Sequence, residues 1–306
     1  MNPAVAILTV TFNPDIGRLR DQLNAFPAHA KWIIVDNASS PSLVSQLEQL
    51  VSTHLGSKLI KNQRNLGLAT AINQAAAAAQ MLSPPPIYLL LMDQDSIPLN
   101  GAIDILLSYH LKLEKQGIAV GSIGPRLIDR SSGLQHGFHS IQGWRWTRNF
   151  PSSDEAPVSC SNLNGSGTLV RADLFFALGG LDESLFIDHV DTEWAFRVLA
   201  SNRKLYGVPA ASFDHAMGER SLRYWLFGWR IWPQRSPQRH YYLYRNAVWL
   251  MKRSYVPRVW KFWAAIKLLL TFAVHCTLDP QRTQQAKQIC SGISAGIRNK
   301  KNNTKI

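Results

Sequence analysis

Apolar residues in the first third of the chain fall into four short runs separated by longer stretches that suit helices. The runs have the length of single strands and cover residues 4–12, 31–35, 58–60 and 87–92. The stretches that read as helices cover residues 14–26, 41–54 and 67–81, the last of which is stopped by the prolines at 84–86. Strands that alternate with helices predict an α/β fold with a mostly parallel central sheet flanked by helices.

The pattern changes after residue 118. Short apolar runs broken by Gly, Pro and Ser continue to about residue 169 and indicate further strands, with a long surface excursion around residues 144–157. Helices are predicted again at residues 172–178 and 190–200. The segment from Leu222 onward is predicted to be largely helical.

Positive charge is concentrated in the last third of the chain. Residues 1–217 hold 16 Lys and Arg against 18 Asp and Glu, a net charge of −2, whereas residues 218–306 hold 17 against 2, a net charge of +15. The same segment holds six of the ten tryptophans. Basic residues interleaved with Trp and Leu are typical of an anionic membrane surface. A nucleic acid would attract the same charge and is the competing interpretation.

An apolar run between residues 256 and 274 is interrupted by Arg258, Lys261 and Lys267. Its uncharged part, residues 268–278, is shorter than the roughly 20 residues that cross a bilayer. We therefore expect a helix that lies on a membrane. The three unpaired cysteines indicate a reducing compartment, and the N-terminus lacks the features of a signal peptide. We expect a cytoplasmic protein at the inner face of the cell membrane.

The fourth apolar run ends in two carboxylates that are one residue apart, Asp93 and Asp95. The carboxyl end of a buried strand is where ligands bind in open α/β sheets. Mg²⁺ and Mn²⁺ are commonly held by one or two carboxylates together with water and substrate phosphates, so Asp93-Gln94-Asp95 suits a metal-bound nucleoside diphosphate. The tripeptide alone also suits a turn that caps the helix following Pro98.

Three other segments fall where a nucleotide site would need them. The first strand ends at Thr11-Phe12-Asn13-Pro14 and the second at Asp36-Asn37, while the third helix begins near Asn65-Leu66-Gly67 and continues to Asn73. Asp36 suits a turn as well as a ligand contact. The small residues after Asn65 suit tight helix packing as well as a close approach to a ligand.

A segment rich in acids follows Gly179-Gly180 and holds five carboxylates between Asp182 and Glu193. If residues 188–194 are helical, Asp188 and Asp191 share a face, whereas Asp191 and Glu193 do not. One of these acids is predicted to act as a base while the others organise the loop.

Taken in order, these motifs resemble the inverting family 2 glycosyltransferases, and among them the bacterial rhamnosyltransferases. The resemblance covers residues 4–220, and it extends to the basic tail through Arg239-His240-Tyr241-Tyr242-Leu243-Tyr244-Arg245-Asn246. It implies a GT-A fold over residues 1–217 and a basic helical acceptor and membrane region over residues 218–306. The implied reaction transfers L-rhamnose from dTDP-L-rhamnose to a saccharide on polyprenyl diphosphate, in O-antigen-type synthesis.

The resemblance also implies roles for individual residues. Asp191 falls at the catalytic base, with Asp188 and Glu193 as possible support because Val190 interrupts the acidic pair seen in many relatives. Asp95 and His215 would hold Mg²⁺ or Mn²⁺. Arg239 and Arg245, together with Trp194, would face the acceptor and its diphosphate, although the arginines suit neutralisation of acids equally well. The donor would be contacted by Thr11, Asn13, Asp36, Asn65, Gly67, Asn73, Asp93 and Gln94.

Two rival functions fit the same sequence, one enzymatic and one not. One is a transferase that uses a UDP-hexose. The other is a basic protein without catalysis that binds a membrane or a nucleic acid. The candidate site carboxylates all lie in the acidic part of the chain, where they would repel phosphate unless a cation intervened, so we expect no nucleic-acid partner.

Overall fold

The structure is a computed structural model that describes residues 4–54, 56–99, 101–129, 133–215 and 235–298, and the backbone of residues 221–225 and 229–233. The chain forms two compact units. The first consists of Met1–Gln142, Thr147–Phe186 and Val190–Ala216, and the second of Gly143–Trp146, Ile187–His189 and Met217–Ile306. The predicted division at residue 217 stays a prediction.

The first unit is built on strands that alternate with helices. The strands are β1 (Val5–Thr11), β2 (Lys31–Asp36), β3 (Lys58–Lys61), β4 (Tyr88–Asp93), β5 (Ser96–Leu99), β6 (Val120–Ile128), β7 (Phe138–Gln142), β8 (Arg145–Asn149, whose first two residues are assigned to the second unit), β9 (Val158–Cys160), β10 (Thr168–Arg171) and β11 (Lys204–His215). The helices are α1 (Ile16–Asn24), α2 (Pro41–Ser52), α3 (Leu68–Gln80), α4 (Ala102–Lys115), α5 (Ala172–Ala177) and α6 (Val190–Ala200), with a short 3₁₀ turn at Glu183–Leu185.

Among the described residues, nine strands form one mixed sheet in the order β3-β2-β1-β4-β10-β6-β11-β5, with β9 paired to β11. The pairs among β1 to β4 are parallel, as is the pair of β6 and β11. The strand β10 runs antiparallel between β4 and β6, and β5 and β9 run antiparallel to β11. The mostly parallel sheet flanked by helices confirms the predicted fold class.

The core of this unit lies on both faces of the sheet because alternate residues of each central strand point to opposite sides. Val5 and Ile7 of β1 belong to a cluster that includes Leu19 of α1 and Leu47 of α2. The alternate residues of β1 are also fully buried, and α3 packs against β1 and β2 through its buried alanines. The parallel strands therefore read as continuous apolar runs in the sequence.

The second unit contains the helices α7 (Pro237–Lys252), α8 (Arg258–Thr277) and α9 (Arg282–Arg298). Glycines on α9 let it approach α7 closely, since a Cβ atom on Gly292 would lie 2.4 Å from the Tyr241 carbonyl oxygen. A buried polar cluster links the three helices: the Gln285 amide meets His240 Nδ1 at 2.6 Å and donates to Asp279, which also pairs with His275.

The prediction of helix from Leu222 onward is wrong for the first part of the basic region. Ser221–Trp225 and Trp229–Pro233 form an antiparallel hairpin, β12 and β13, and helix begins only at Pro237. The period-two alternation of aromatic or aliphatic residues with arginine in Leu222-Arg223-Tyr224 suits a strand better than a helix.

Helix α8 covers the interrupted apolar run and extends three residues beyond it. Within the part of the chain that the structure describes, it is long and apolar enough to cross a membrane by length and composition. Only 17% of its most apolar window is buried, and Phe262, Leu269 and Leu270 are exposed. This helix therefore presents an unusually apolar surface.

Candidate nucleotide and metal site

The carboxyl ends of the central parallel strands bring three predicted site residues together. Thr11 ends β1 opposite Asp36 of β2, and Asp93 ends β4 opposite Val10. These residues lie at one edge of the sheet because the three strands run in the same direction. This is the edge at which α/β folds bind their ligands.

A cluster that can hold a metal ion lies at this edge. One ligand atom from each of Asp93, Asp95 and His215 falls within 4.8 Å of the others. Asp95 Oδ1 lies 3.6 Å from His215 Nδ1, and Ser96, whose hydroxyl is 2.6 Å from the same nitrogen, fixes the imidazole ring. The Asp95 side chain is 41% exposed. Two carboxylates and an imidazole, open to solvent on one side, fit a divalent cation that keeps positions for phosphate oxygens.

The structure explains how β11 reaches the cluster. Its last residues pair with β5, so that His215 stands opposite Ser96, directly after the Asp93-Gln94-Asp95 turn. Asp95 is therefore followed by a strand that returns into the sheet. The alternative in which the turn only caps the helix after Pro98 is wrong, because α4 begins at Ala102 after β5 has been completed.

Sequence reasoning missed two residues of α1 that hold this turn. Arg18 Nε donates to the Asp95 carbonyl oxygen at 2.6 Å, and its Nη2 lies 3.2 Å from the Asp214 carboxylate. Gln22 is fully buried and donates to the carbonyl oxygens of Asp93 and Ser96 at 2.8 and 2.5 Å. Their spacing of four residues was the signal in the sequence, since it places both side chains on one face of a helix. That face lies beside the apolar positions that α1 buries.

A further missed residue is His136, which lies between β6 and β7. Its ring centroid lies 5.9 Å from that of His215. Burial, together with the nearby His215 and Arg148, lowers the pKa of His136 to about 4. The neutral imidazole therefore borders the cluster without adding positive charge at neutral pH.

The loops after β1 and β2 are tied to each other. Thr11 Oγ1 donates to Asp36 at 2.9 Å, and the buried Asp36 also accepts from Ser39. Asn13 accepts from the Ser40 amide at 3.0 Å and has a left-handed φ of 47°. Asp36 thus organises the turn, which is the alternative to a ligand contact, and its predicted contact with the donor stays a prediction.

Gln94 joins the Asp-x-Asp turn to the end of β1. Its Oε1 accepts from the Phe12 backbone amide at 2.8 Å, while the Phe12 side chain is 48% exposed. Phe12 was not predicted as a site residue, and it offers an aromatic surface at the edge where the strands end. Its exposure could not be read from the sequence, where it continues an apolar run.

Asn65 and Gly67 shape the start of α3. Asn65 Oδ1 accepts from the Gly67 amide at 2.9 Å, and Gly67 has a φ of 89° that favours glycine. A Cβ atom on Gly67 would lie 2.5 Å from the Phe186 ring, so this glycine is needed for a close approach within the protein. Tight packing within the protein, the alternative to close approach of a ligand, therefore explains why this position is glycine.

Asn73 does not present its amide to a ligand. Its Oδ1 accepts from the Leu181 amide at 2.8 Å, and its Nδ2 donates to the Leu181 carbonyl oxygen and to Glu183, both at 2.9 Å. All these bonds hold the loop that follows Gly179-Gly180. The predicted donor contact is thus replaced by a loop-holding role.

The acidic segment is not one continuous helix. Helix α6 begins at Val190, and Asp188 and His189 have left-handed φ values of 61° and 63°. Asp188 and Asp191 therefore do not share a helical face, contrary to expectation. Asp191 lies in the first turn of α6, where its carboxylate accepts from the Thr192 amide at 2.8 Å.

The position of Asp191 links it to the strand ends. A Cβ atom on Gly165 would lie 3.8 Å from the Asp191 Cβ atom. The next residue, Ser166, accepts from the Asp93 amide at 3.2 Å and donates to Ser96 at 2.7 Å. Asp191 thus borders the loop that contacts the metal-site turn.

Two other residues of α6 face inward. Trp194 is 3% exposed and its indole donates to Ser122, so it belongs to the core and leaves no surface for an acceptor. Glu193 is 1% exposed and pairs with Arg197 at 2.7 Å. Burial of Trp194 contradicts its predicted contact with the acceptor, whereas the catalytic support predicted for Glu193 stays a prediction.

The predicted acceptor arginines lie in the second unit. Arg239 pairs with Asp188 at 3.3 Å, and Arg235 also binds that carboxylate. The Arg245 guanidinium lies over the rings of Tyr242 and Trp249, at 4.8 and 4.3 Å from their centroids. Arg239 therefore neutralises an acid of the protein, which is the alternative to binding the acceptor diphosphate.

The mostly parallel sheet with an Asp-x-Asp turn at its strand ends fits the GT-A class that the sequence resemblance implied. Residues 15–176 match the family described as Glycosyl transferase family 2. The chain is 30% identical over 291 residues to the dTDP-rhamnosyl transferase RfbF of Shigella flexneri, covering 91% of this chain and 88% of that protein. It belongs to the family 2 glycosyltransferases.

More distant relatives agree with this assignment. An N-acetylglucosaminyl-diphospho-decaprenol L-rhamnosyltransferase of Mycobacterium tuberculosis is 24% identical over 237 residues, 70% of this chain and 76% of that protein. Among solved structures, GalNAc-T7 with UDP, GalNAc and Mn²⁺ superposes with a TM-score of 0.61 at 16% identity, over 96% of this chain and 56% of that one. The mannosyltransferase PcManGT of Pyrobaculum calidifontis, with GDP-Man and Mn²⁺, gives 0.57 at 14% identity, over 97% and 76%. These structures share the fold.

The Asp95 side chain is 41% exposed within the candidate metal cluster. We expect Asp95→Asn to weaken the binding of dTDP in the presence of Mn²⁺ by about tenfold or more, since it removes a charged ligand. Calorimetric titration of dTDP with and without Mn²⁺ measures this. Asp104→Asn, a half-exposed acid of α4, is the control. An Asp95→Asn variant that keeps wild-type Mn²⁺-dependent affinity would contradict the assignment.

Proposed function

We propose that this protein transfers L-rhamnose from dTDP-L-rhamnose, with inversion, to a saccharide carried on polyprenyl diphosphate, during synthesis of an O-antigen-type surface polysaccharide. The assignment of the donor rests on the 30% identity to a dTDP-rhamnosyl transferase over 91% of the chain. The acceptor class is supported by the mycobacterial relative, whose name states a diphospho-decaprenol acceptor.

The site suits this chemistry. Asp93, Asp95 and His215 would hold Mg²⁺ or Mn²⁺, which when bound offsets negative charge on the leaving diphosphate. Asp191 would accept the proton of the acceptor hydroxyl while that oxygen attacks the anomeric carbon from the face opposite dTDP. The bond between the anomeric carbon and the phosphate oxygen breaks in the same step, which inverts the configuration without a covalent enzyme intermediate.

A UDP-hexose is the second candidate donor. The C6 carbon of rhamnose is a methyl group without a hydroxyl. The part of the donor pocket that faces this methyl group should therefore be apolar. Phe186 and Trp194 are the nearest Phe, Tyr or Trp residues on either side of Asp191 in the sequence, and of these Phe186 is partly exposed whereas Trp194 is buried. A hydrophobic wall rejects an added hydroxyl by only about 10²-fold, so we expect incomplete discrimination between sugars.

The donor is tested by offering purified protein dTDP-L-rhamnose and a set of UDP-hexoses with Mn²⁺ and measuring release of the nucleoside diphosphate. We expect dTDP-L-rhamnose to be preferred, by up to about 10²-fold over a hexose of otherwise similar shape. Preference for a UDP-hexose would remove the rhamnose assignment and leave the fold and the metal cluster in place.

The base is tested by comparing Asp191→Asn with Asp188→Asn. We expect Asp191→Asn to bind dTDP normally and to lose about 10²-fold or more in turnover, because a general base contributes at least this much. Asp188 is engaged by Arg235 and Arg239, so its variant should lose less. An inactive Asp188→Asn beside an active Asp191→Asn would reverse the assignment.

We further propose that the second unit attaches the protein peripherally to the inner face of the cell membrane. Support comes from the +15 net charge of residues 218–306 and from the exposed apolar side chains of α8. Basic residues near the surface attract anionic lipid, and exposed aromatic residues insert at the interface.

Truncation after Tyr255 should therefore move the protein from the membrane to the soluble fraction, and high salt should partly reproduce the release because it screens the charges. Fractionation of cells with and without 1 M salt, a concentration at which the screening length is about 3 Å, measures both effects. Since α8 also has the length of a spanning helix, a requirement for detergent at high salt would favour insertion across the bilayer instead.

A further inference from the structure

The segment just before the candidate base has a strained backbone. Phe186 has φ 63° and ψ −66°, the geometry of a rare and strained γ-turn. Asp188 and His189 are also left-handed, with φ values of 61° and 63°. Such conformations cost about 1–3 kcal/mol per residue and persist only where surrounding contacts enforce them. Three of them within four residues therefore require a dedicated set of contacts.

Asn246 of α7 supplies the central contact to this segment. Its Nδ2 donates to the carbonyl oxygens of Ile187 and Asp188 at 2.8 and 2.9 Å. Asn246 is fully buried, so neither bond is exchanged with water. Its Oδ1 accepts from Arg245 Nε at 2.9 Å, which fixes the orientation of the amide with its two donors toward the segment.

Side chains of the segment are held as firmly as its backbone. The Asp188 side chain is 7% exposed and is bound by both Arg235 and Arg239, a double pairing that compensates for its burial. His189 packs edge-on against Trp260, with ring centroids 5.6 Å apart. The backbone just before Ile187 is also held, because the Phe186 carbonyl oxygen accepts from the Leu68 amide at 2.6 Å.

Helix α6 begins at the residue after His189, and Asp191 is the second residue of that helix. The left-handed φ values at Asp188 and His189 end where the helix begins at Val190. We propose that Asn246 is a positioning residue for the transfer reaction, which holds the 187–189 backbone and thereby places the carboxylate of Asp191. This rests on the proposed role of Asp191 as the base.

Catalysis by a base is sensitive to such placement, since a displacement of about 1 Å can cost about 10²-fold in rate. Loss of the two amide bonds should therefore lower kcat while leaving donor binding intact, because the residues proposed to contact the nucleotide and the metal are on other segments. A residue needed only for stability would show a different pattern, in which the melting temperature falls while kcat of the folded protein is kept.

The test compares Asn246→Ala and Asn246→Asp with Tyr244→Phe. The Asp variant keeps the size of the side chain but replaces the donor amide with a carboxylate. Tyr244→Phe is the matched control on the same helix, since it removes a buried hydroxyl that donates to the Leu268 carbonyl oxygen at 2.6 Å and does not contact the segment. The turnover probe is release of dTDP from dTDP-rhamnose in the presence of a membrane lipid extract, and the binding probe is dTDP with Mn²⁺.

We expect both Asn246 variants to lose about tenfold to about 100-fold in kcat, with the donor KM and the dTDP affinity within about twofold of wild type, a difference of about 0.4 kcal/mol. Tyr244→Phe should lower the melting temperature and keep kcat. Wild-type kcat in the Asn246 variants, or parallel loss of kcat and dTDP affinity, would overturn the inference. If Asp191→Asn is itself fully active, the proposed function fails independently of this result.

Discussion

The candidate site depends on the hydrogen bonds that α1 makes to the turn after β4. Two carboxylates at the end of a buried strand repel each other and would favour an open loop. Gln22 binds the backbone carbonyl oxygens of Asp93 and Ser96, and Arg18 binds that of Asp95. Because Gln22 is fully buried, removal of its amide would take a buried donor away from the Asp93 and Ser96 carbonyl oxygens, which is costly. The turn and the helix therefore form one structural unit.

Polar side chains also hold other turns and loops around the candidate site. Ser166 joins the Asp93 amide to Ser96, Ser96 orients His215, and Asn73 holds the loop that leads toward α6. Each is a short polar side chain that satisfies backbone or imidazole groups where a strand or loop ends. The residues predicted to meet the ligand are thus supported by others whose partners lie within the protein.

The fold and the position of the two carboxylates Asp93 and Asp95 were predictable from the sequence because they depend on local patterns, whereas His215 was expected only from the family resemblance. Apolar runs of strand length set β1 to β4, and the carboxylates directly after β4 fall at the sheet edge in any parallel arrangement. The roles of Asn73 and Trp194 were not predictable, since an amide or an indole serves a ligand and a core equally well. The choice depends on contacts between residues more than 70 positions apart, such as Trp194 with Ser122.

The hairpin β12–β13 and the left-handed turn before α6 were missed for different reasons. The hairpin region is rich in basic and aromatic residues, and its period-two pattern covers only a few positions. The turn contains no glycine, so nothing in its composition signals left-handed backbone at Asp188 and His189. That conformation is held by residues distant in the sequence, among them Asn246, whose amide lies 58 positions beyond Asp188.

The central claim is that the strand ends of the first unit bind a nucleoside diphosphate together with a divalent cation. A crystal structure with dTDP and Mn²⁺, in which the anomalous scattering of manganese locates the ion, tests this most directly. The account predicts one manganese between the Asp95 carboxylate and His215, in contact with the diphosphate of dTDP. Manganese absent from that position while dTDP is bound, or dTDP bound away from the ends of β1, β2 and β4, would contradict it.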